Sequence, residues 1–195
     1  MATQPDDSSS VWSHRLTGEL DASDARASAL AKGLTTRQLS WTSRPGVWSV
    51  GQCLEHLCVA NHVYLQAIDH ALVGQRVTVV EEIAPTWFGR WFIRRYIEPS
   101  ADTARARAPR KIAPGARVDP SIVDRFFASN DEARRVIARA SHHDVNRIRF
   151  VNPFIPLLRF TVGTGLEILT AHERRHLLQA ERVRESRDFP RRDSA

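Results

Sequence analysis

The segment His172-Glu173-Arg174-Arg175-His176 sets two imidazoles at i and i+4 with a carboxylate between them. On a helix that spacing puts both rings on one face, one turn apart, where they can share a divalent ion. The simpler reading, two histidines that merely pack or hydrogen-bond, competes with it. The pentad also satisfies the short HExxH pattern, in which the carboxylate acts on water held by zinc. Its longer form in metallopeptidases continues with glycine and histidine where this chain has Gln179 and Arg182. Glu181 and Glu185 are nearby carboxylates, but no downstream ligand helix follows. A third ligand must then come from upstream. His14, His56, His62, His70, His142 and His143 are the candidates, and periodicity does not choose among them. His56 is attractive because it falls inside a predicted helix beside Glu55.

The elements that must carry these groups read as helices. Val11 to Lys32 holds Trp12, Leu16, Leu20 and Leu30 among alanines, and Gly33 is placed to stop it. Thr35 to Gly46 reads as a polar connection. Ser49 with Gln52 three residues later forms a capping box, and apolar residues from Val50 to Leu72 then recur at helical spacing up to Gly74. Val77 to Ile83 reads as a strand or an extended loop. Pro85 to Glu98 predicts a short helix with the i, i+4 aromatic pairs Trp87/Trp91 and Phe88/Phe92, closed by Pro99. Tyr64, Trp87 and Trp91 read as core residues, with the two tryptophans as alternative pocket walls. Asp119-Pro120 predicts the start of a third long helix running toward Asp144. Asn152 to Pro156 is a turn. A last long helix begins near Leu158 or Phe160 and continues to about Glu185. Gly163 and Gly165 within it either allow close approach of another element or leave room for a ligand.

Two segments together carry a family resemblance. Trp48-Ser49-Val50-Gly51-Gln52-Cys53-Leu54-Glu55-His56-Leu57 resembles the first metal motif of the DinB-like (DinB/YfiT-like) superfamily. Ala171-His172-Glu173-Arg174-Arg175-His176-Leu177-Leu178-Gln179-Ala180 resembles its second, and Asn152-Pro153-Phe154 is similar to that family's approach to the last helix. The resemblance covers nearly the whole chain. It implies an all-α, four-helix bundle that departs from simple up-down order, with a long connection between its second and third helices. It also implies a divalent metal held by His56, His172 and His176. Nickel or zinc comes first, with manganese, cobalt or iron as further ions that three imidazoles accept. The superfamily contains metal-dependent hydrolases and thiol-dependent transferases and isomerases. The expected function is therefore a metal-dependent hydrolase or thiol S-transferase acting on a small molecule, with a low-molecular-weight thiol as candidate cosubstrate. The alternative is a helical bundle that binds a metal or small ligand without turnover. Glu173 lies about 100° around the helix from His172. It is the candidate for proton transfer or ligand orientation, against a surface carboxylate paired with Arg174. Arg175 and Gln179 are candidates for supporting the ligands or binding substrate.

Length and composition set the remaining expectations. The 195 residues suit one domain, residues 1–195, with a core of about 11–186 and flexible termini. The polar, acidic start lacks a signal peptide's basic and apolar regions, and no apolar run spans a membrane, so the expected location is the cytoplasm. Cys53 and Cys58 form no CxxC pair and read as buried thiols. The net charge of +6 permits nucleic-acid contact, but no recognition motif or compact aromatic-basic cluster supports it. Residues 103–117 carry five basic and no acidic residues and read as a solvated loop, with an electropositive ligand rim as the sharper alternative. A homodimer is an open expectation without a specific seam.

Overall fold

The computed structural model of the chain describes residues 10–98, 112–115 and 117–190. Most of the basic 103–117 segment therefore lies outside the described residues. The first helix, α1 (Val11–Ala31), ends at Lys32, and Gly33 turns the chain at φ +72°. A four-residue helix, α2 (Thr36–Leu39), lies in what reads as a polar connection. Its signal was present, since Thr35 and Gln38 form a reciprocal capping box. Ser49 and Gln52 form the expected box at the start of α3 (Val50–Leu72). A short helix, α4 (Trp87–Phe92), is capped by Thr86 and runs into a π-helical turn, Ile93–Ile97.

The next long helix, α5 (Ile122–Ala140), starts later than Asp119-Pro120 predicts. Asp119 Oδ1 accepts from the backbone N–H of Ser121 at 2.9 Å and from its hydroxyl at 2.8 Å. This local turn uses the aspartate two residues before the N-cap, Ser121. The last helix, α6 (Val162–Arg184), also starts later than expected, because the residues before it are paired as a strand. Strands β1 (Arg149–Val151) and β2 (Arg159–Thr161) form an antiparallel hairpin with Phe150 opposite Phe160. Asn152 Oδ1 shapes its turn by accepting from the N–H groups of Phe154 and Ile155. The 77–83 segment contributes only an isolated bridge between Val77 and His143.

Helices α1, α3, α5 and α6 form the bundle. Both α1 and α3 pack against α5 and α6, with little contact between α1 and α3 themselves. The first two bundle helices are thus diagonal rather than adjacent, which departs from up-down order. Among the described residues, no helix is long and apolar enough to cross a membrane.

The core has two apolar halves. One gathers Leu16, Leu20, Leu65, Ile68, Val136, Ile137, Leu166 and Leu169. The other gathers Ala27, Leu30, Leu54, Leu57, Ile122, Phe126, Leu177 and Ala180. Between them each bundle helix contributes a buried polar residue: Ser23, Asn61, Asn130 and Glu173. Cys53 and Cys58 are buried free thiols, and burial pushes them up to about 12 and about 11.

The aromatic stripe of α4 is turned differently from the expectation. Trp87 is 73% exposed and Trp91 is 42% exposed, so neither belongs to the core. Phe92 is buried instead, and Phe88 stacks on Phe160 with ring centroids 6.0 Å apart. A helix packed on one side buries a single i, i+4 stripe, and here the phenylalanines occupy it. Tyr64 is in the core, edge-on to Phe150.

The glycines of α6 serve close packing. A Cβ on Gly165 would stand 2.6 Å from Phe150 and 3.2 Å from Ile68, and one on Gly163 would stand 2.9 Å from Ile83. Gly18 of α1 is exposed, with nothing within 4 Å of an added Cβ. Two alanine substitutions should therefore have opposite signs. Gly165→Ala should destabilise by about 1–3 kcal/mol through overpacking. Gly18→Ala should stabilise by up to about 1 kcal/mol through helix propensity. Denaturant titration checks both, and stabilisation by Gly165→Ala would contradict the packing described.

Candidate metal centre

His56 stands near the N-terminal end of α3, where the Ser49/Gln52 box fixes the helix start. The same end holds the 112–115 segment. Gln52 Nε2 donates to the Gly115 carbonyl at 2.9 Å, and the Gly115 N–H donates to Glu55 Oε2 at 3.0 Å. This brings the Ile112 carbonyl to 2.7 Å from His56 Nδ1. A carbonyl only accepts, so Nδ1 carries the proton and the lone pair of His56 is on Nε2. His56 Nε2 faces His172 Nε2 at 3.2 Å.

His176 is oriented in the same manner by its own helix. Its Nδ1 donates to Gln179 Oε1 at 3.1 Å, which leaves Nε2 as the unprotonated nitrogen. One ring nitrogen from each of His56, His172 and His176 lies within 4.8 Å of the others. Two donors on a tetrahedral ion with bonds of about 2.0–2.1 Å stand roughly 3.3 Å apart. The 3.2 Å separation of the His56 and His172 nitrogens fits that edge. The donor set therefore suits a late first-row divalent ion. Among the described residues this is the sole such cluster.

The electrostatics agree. His56 and His176 are buried and His172 is partly buried. Burial lowers all three imidazoles from the ordinary range, His176 to about 3. Mutual repulsion among the rings and the charge of Arg175 add to the lowering for His172 and His176. All three are thus neutral imidazoles near pH 7, the form that can bind a cation. Trp48 covers one side, with its ring 4.7 Å from His56 and stacked 5.6 Å from His176. Trp48, rather than the expected Trp87 or Trp91, walls the cluster, and its place directly before the cap of the His56 helix is the sequence signal for it.

The other histidines are elsewhere. His62 is exposed beside Glu132, and His14, His70 and His142 are exposed. His143 Nδ1 donates to the Arg76 carbonyl. Of the two carboxylates further along α6, Glu181 pairs with Arg26 and Glu185 is exposed.

Glu173 is 0% exposed, which corrects the reading of a surface carboxylate paired with Arg174. Arg174 pairs with Glu19 and Glu98. Glu173 turns to the bundle axis, where Asn61 Nδ2 donates to it at 2.8 Å and Asn130 Nδ2 at 3.5 Å. Burial raises its carboxyl to about 7, against the lowering effect of hydrogen bonds from Asn61, Ser23 and Asn130. Asn130 also donates to Asp24, which pairs with Arg134. Arg175 donates to the Tyr96 carbonyl at 2.7 Å.

A family model described as the DinB superfamily matches residues 19–180. Neither the curated proteins nor the solved structures compared with the chain contain a significant match. The matched span reaches from within α1 to within α6 and includes all three clustered histidines together with the helices that bring them into contact. The chain belongs to the DinB superfamily.

Proposed function

We propose that the protein is a divalent-metal-dependent enzyme acting on a small molecule, with His56, His172 and His176 as the metal ligands. One observation carries the reading: His56 and His176 each direct Nδ1–H to a fixed acceptor, which presents Nε2 toward the cluster. Zinc or nickel suits three neutral imidazoles, and manganese, cobalt and iron belong in the same test. When bound, such an ion supplies Lewis acidity toward a water, a thiol or an electrophilic oxygen.

The chain's own groups have distinct parts in this proposal. The Ile112 carbonyl and Gln179 orient His56 and His176, and Trp48 excludes water from one side. Arg175 adds positive charge beside the histidines, which favours an anionic substrate or a thiolate. Glu173 acts through position: its bonds to Asn61 and Asn130 anchor the turn that carries His172. Hydrolysis and thiol S-transfer are the two reaction classes the site suits. Product analysis with and without a low-molecular-weight thiol separates them. The non-catalytic binder draws support from the same Glu173 geometry, because that carboxyl is directed into the core rather than toward the imidazoles. Absence of turnover in metal-loaded protein across both assays would favour it.

Metal added to metal-free protein should raise the melting temperature, by the equivalent of about 2.7 kcal/mol at a hundredfold excess over Kd. Replacing His56, His172 or His176 by alanine should each weaken binding by more than about 100-fold. Gln179→Ala should cost about 10–100-fold. His62→Ala should change little. Calorimetric titration decides, and undiminished affinity after loss of His56 would refute the ligand set.

Glu173→Gln tests the buried carboxyl by its pH dependence. A folded value raised to about 7 from the ordinary 4.5 contributes stability that is present below 4.5 and lost as pH rises through 7. The glutamine variant lacks this loss. Between pH 5 and pH 8 the parent protein should therefore lose on the order of 1–3 kcal/mol relative to the variant. Parallel stability profiles for the two metal-free proteins would remove the case for a perturbed carboxyl. Retained metal binding in the variant would agree with a positioning role.

A further inference from the structure

The last turns of α6 carry Gln179, Arg182 and Val183 at spacings of three and four residues, so these side chains share one face, and Ser186 follows just past the helix end. The loop containing Ser43, Arg44 and Val47 lies across from them. Together they line a solvent-open cleft of about 470 Å³, a volume within the range that small-molecule sites occupy.

The chemistry of the lining is one-sided. It offers two guanidinium groups, one amide, two hydroxyls and two valines, and no carboxylate. Several arginines of the bundle are neutralised: Arg26 by Glu181, Arg134 by Asp21 and Asp24, and Arg174 by Glu19 and Glu98. Arg184, in the same turns of α6, donates to the carbonyls of Ala29 and Leu30. Among the described residues, the side chains of Arg44 and Arg182 make no hydrogen bond or ion pair. Gln179 adds a third donor. Its oxygen accepts from His176, so its amide nitrogen is left to donate, and it has no acceptor among the described residues. Two guanidinium groups and an amide N–H lining one cleft are the donor types that an oxyanion accepts from.

We propose that this cleft binds the anionic group of a small molecule, a carboxylate or a phosphate, through Arg44, Arg182 and the Gln179 amide. The site goes beyond the metal reading and meets it only at Gln179. Along α6, Arg182 stands about 9 Å from His176, six residues at a helical rise of about 1.5 Å. Val47 and Val183 give the rest of the ligand an apolar surface.

Inorganic phosphate and succinate are the two probes, titrated into the full chain after metal has been removed by chelation. The readout is the side-chain amide resonance of Gln179 together with calorimetry. Saturable binding of either probe is expected, with perturbation of Gln179, and the preferred probe tells phosphate from carboxylate. Arg44→Gln and Arg182→Gln should each weaken it by about 10-fold or more, the worth of a charge-assisted hydrogen bond. Arg135→Gln, an exposed site on α5, should leave it unchanged. No saturable binding of either probe at tens of millimolar would overturn the proposal. So would equal loss in Arg135→Gln, which would mark a bulk-charge effect. Binding that appears only when metal is restored, and ignores Arg44 and Arg182, would place the anion on the metal centre and overturn the cleft. Binding that persists where the metal titration fails would leave the cleft standing on its own.

Discussion

The interior carboxyl of Glu173 is the constraint around which the bundle is arranged. A group of this kind is costly to bury unless its oxygens find donors. Here the donors come from the three other bundle helices: Ser23 of α1, Asn61 of α3 and Asn130 of α5. Sliding any helix by one turn would break its contact with the carboxyl and set a polar group against an apolar half of the core. Polar groups inside bundles are best attested as fixing register, and the layer here separates the two apolar clusters along all four helices.

Fixed register is what the histidines require. His172 follows its helix directly before Glu173, and His176 comes one turn later. With Glu173 held at the axis, the two rings are rotated away from it toward the start of α3, where His56 and Trp48 stand. The facing ring needs a second restraint, because α3 supplies no acceptor for its Nδ1. The 112–115 segment, tied to the helix through Gln52 and Glu55, brings in a backbone carbonyl for that purpose. Part of the long connection between α4 and α5 thus sets the tautomer of His56.

Much of this was legible in the sequence, and the parts that were not have physical causes. Ser49 and Gln52 marked the helix that carries His56, and the i, i+4 histidines marked the face they share. Choosing His56 over the other upstream histidines rested on resemblance, since spacing along one chain does not say which helices meet. The polar layer also has a mark in the sequence. Glu173 falls in the apolar stripe of α6 between Leu169 and Leu177, Asn61 falls between Leu57 and Tyr64, and Asn130 falls between Phe126 and Ala133. One polar residue in each apolar stripe, at places that converge, is the mark of a buried polar layer. The hairpin was hidden for another reason: three-residue strands are too short for alternation to show. The faces of α4 were ambiguous because both of its stripes are aromatic.

The same layer explains why an HExxH pattern has a different meaning in this fold. In the peptidase use of the motif the carboxylate serves the metal-held water. Here the residue after His172 is turned about 100° from it and committed to Asn61 and Asn130. Burial acts on both groups in opposite senses. It strips the imidazoles of their proton and leaves them able to bind a cation, while it pushes the carboxyl toward its protonated form. A residue half-protonated near neutral pH, sealed from solvent by two apolar clusters, is poorly placed to relay protons quickly to the histidine face. In the proposed enzyme, proton handling is therefore assigned to the substrate, to a thiol, or to water beside the histidines. That division ties the chemistry of the site to the architecture, because the carboxyl that secures the bundle is the one the short motif would have assigned to catalysis.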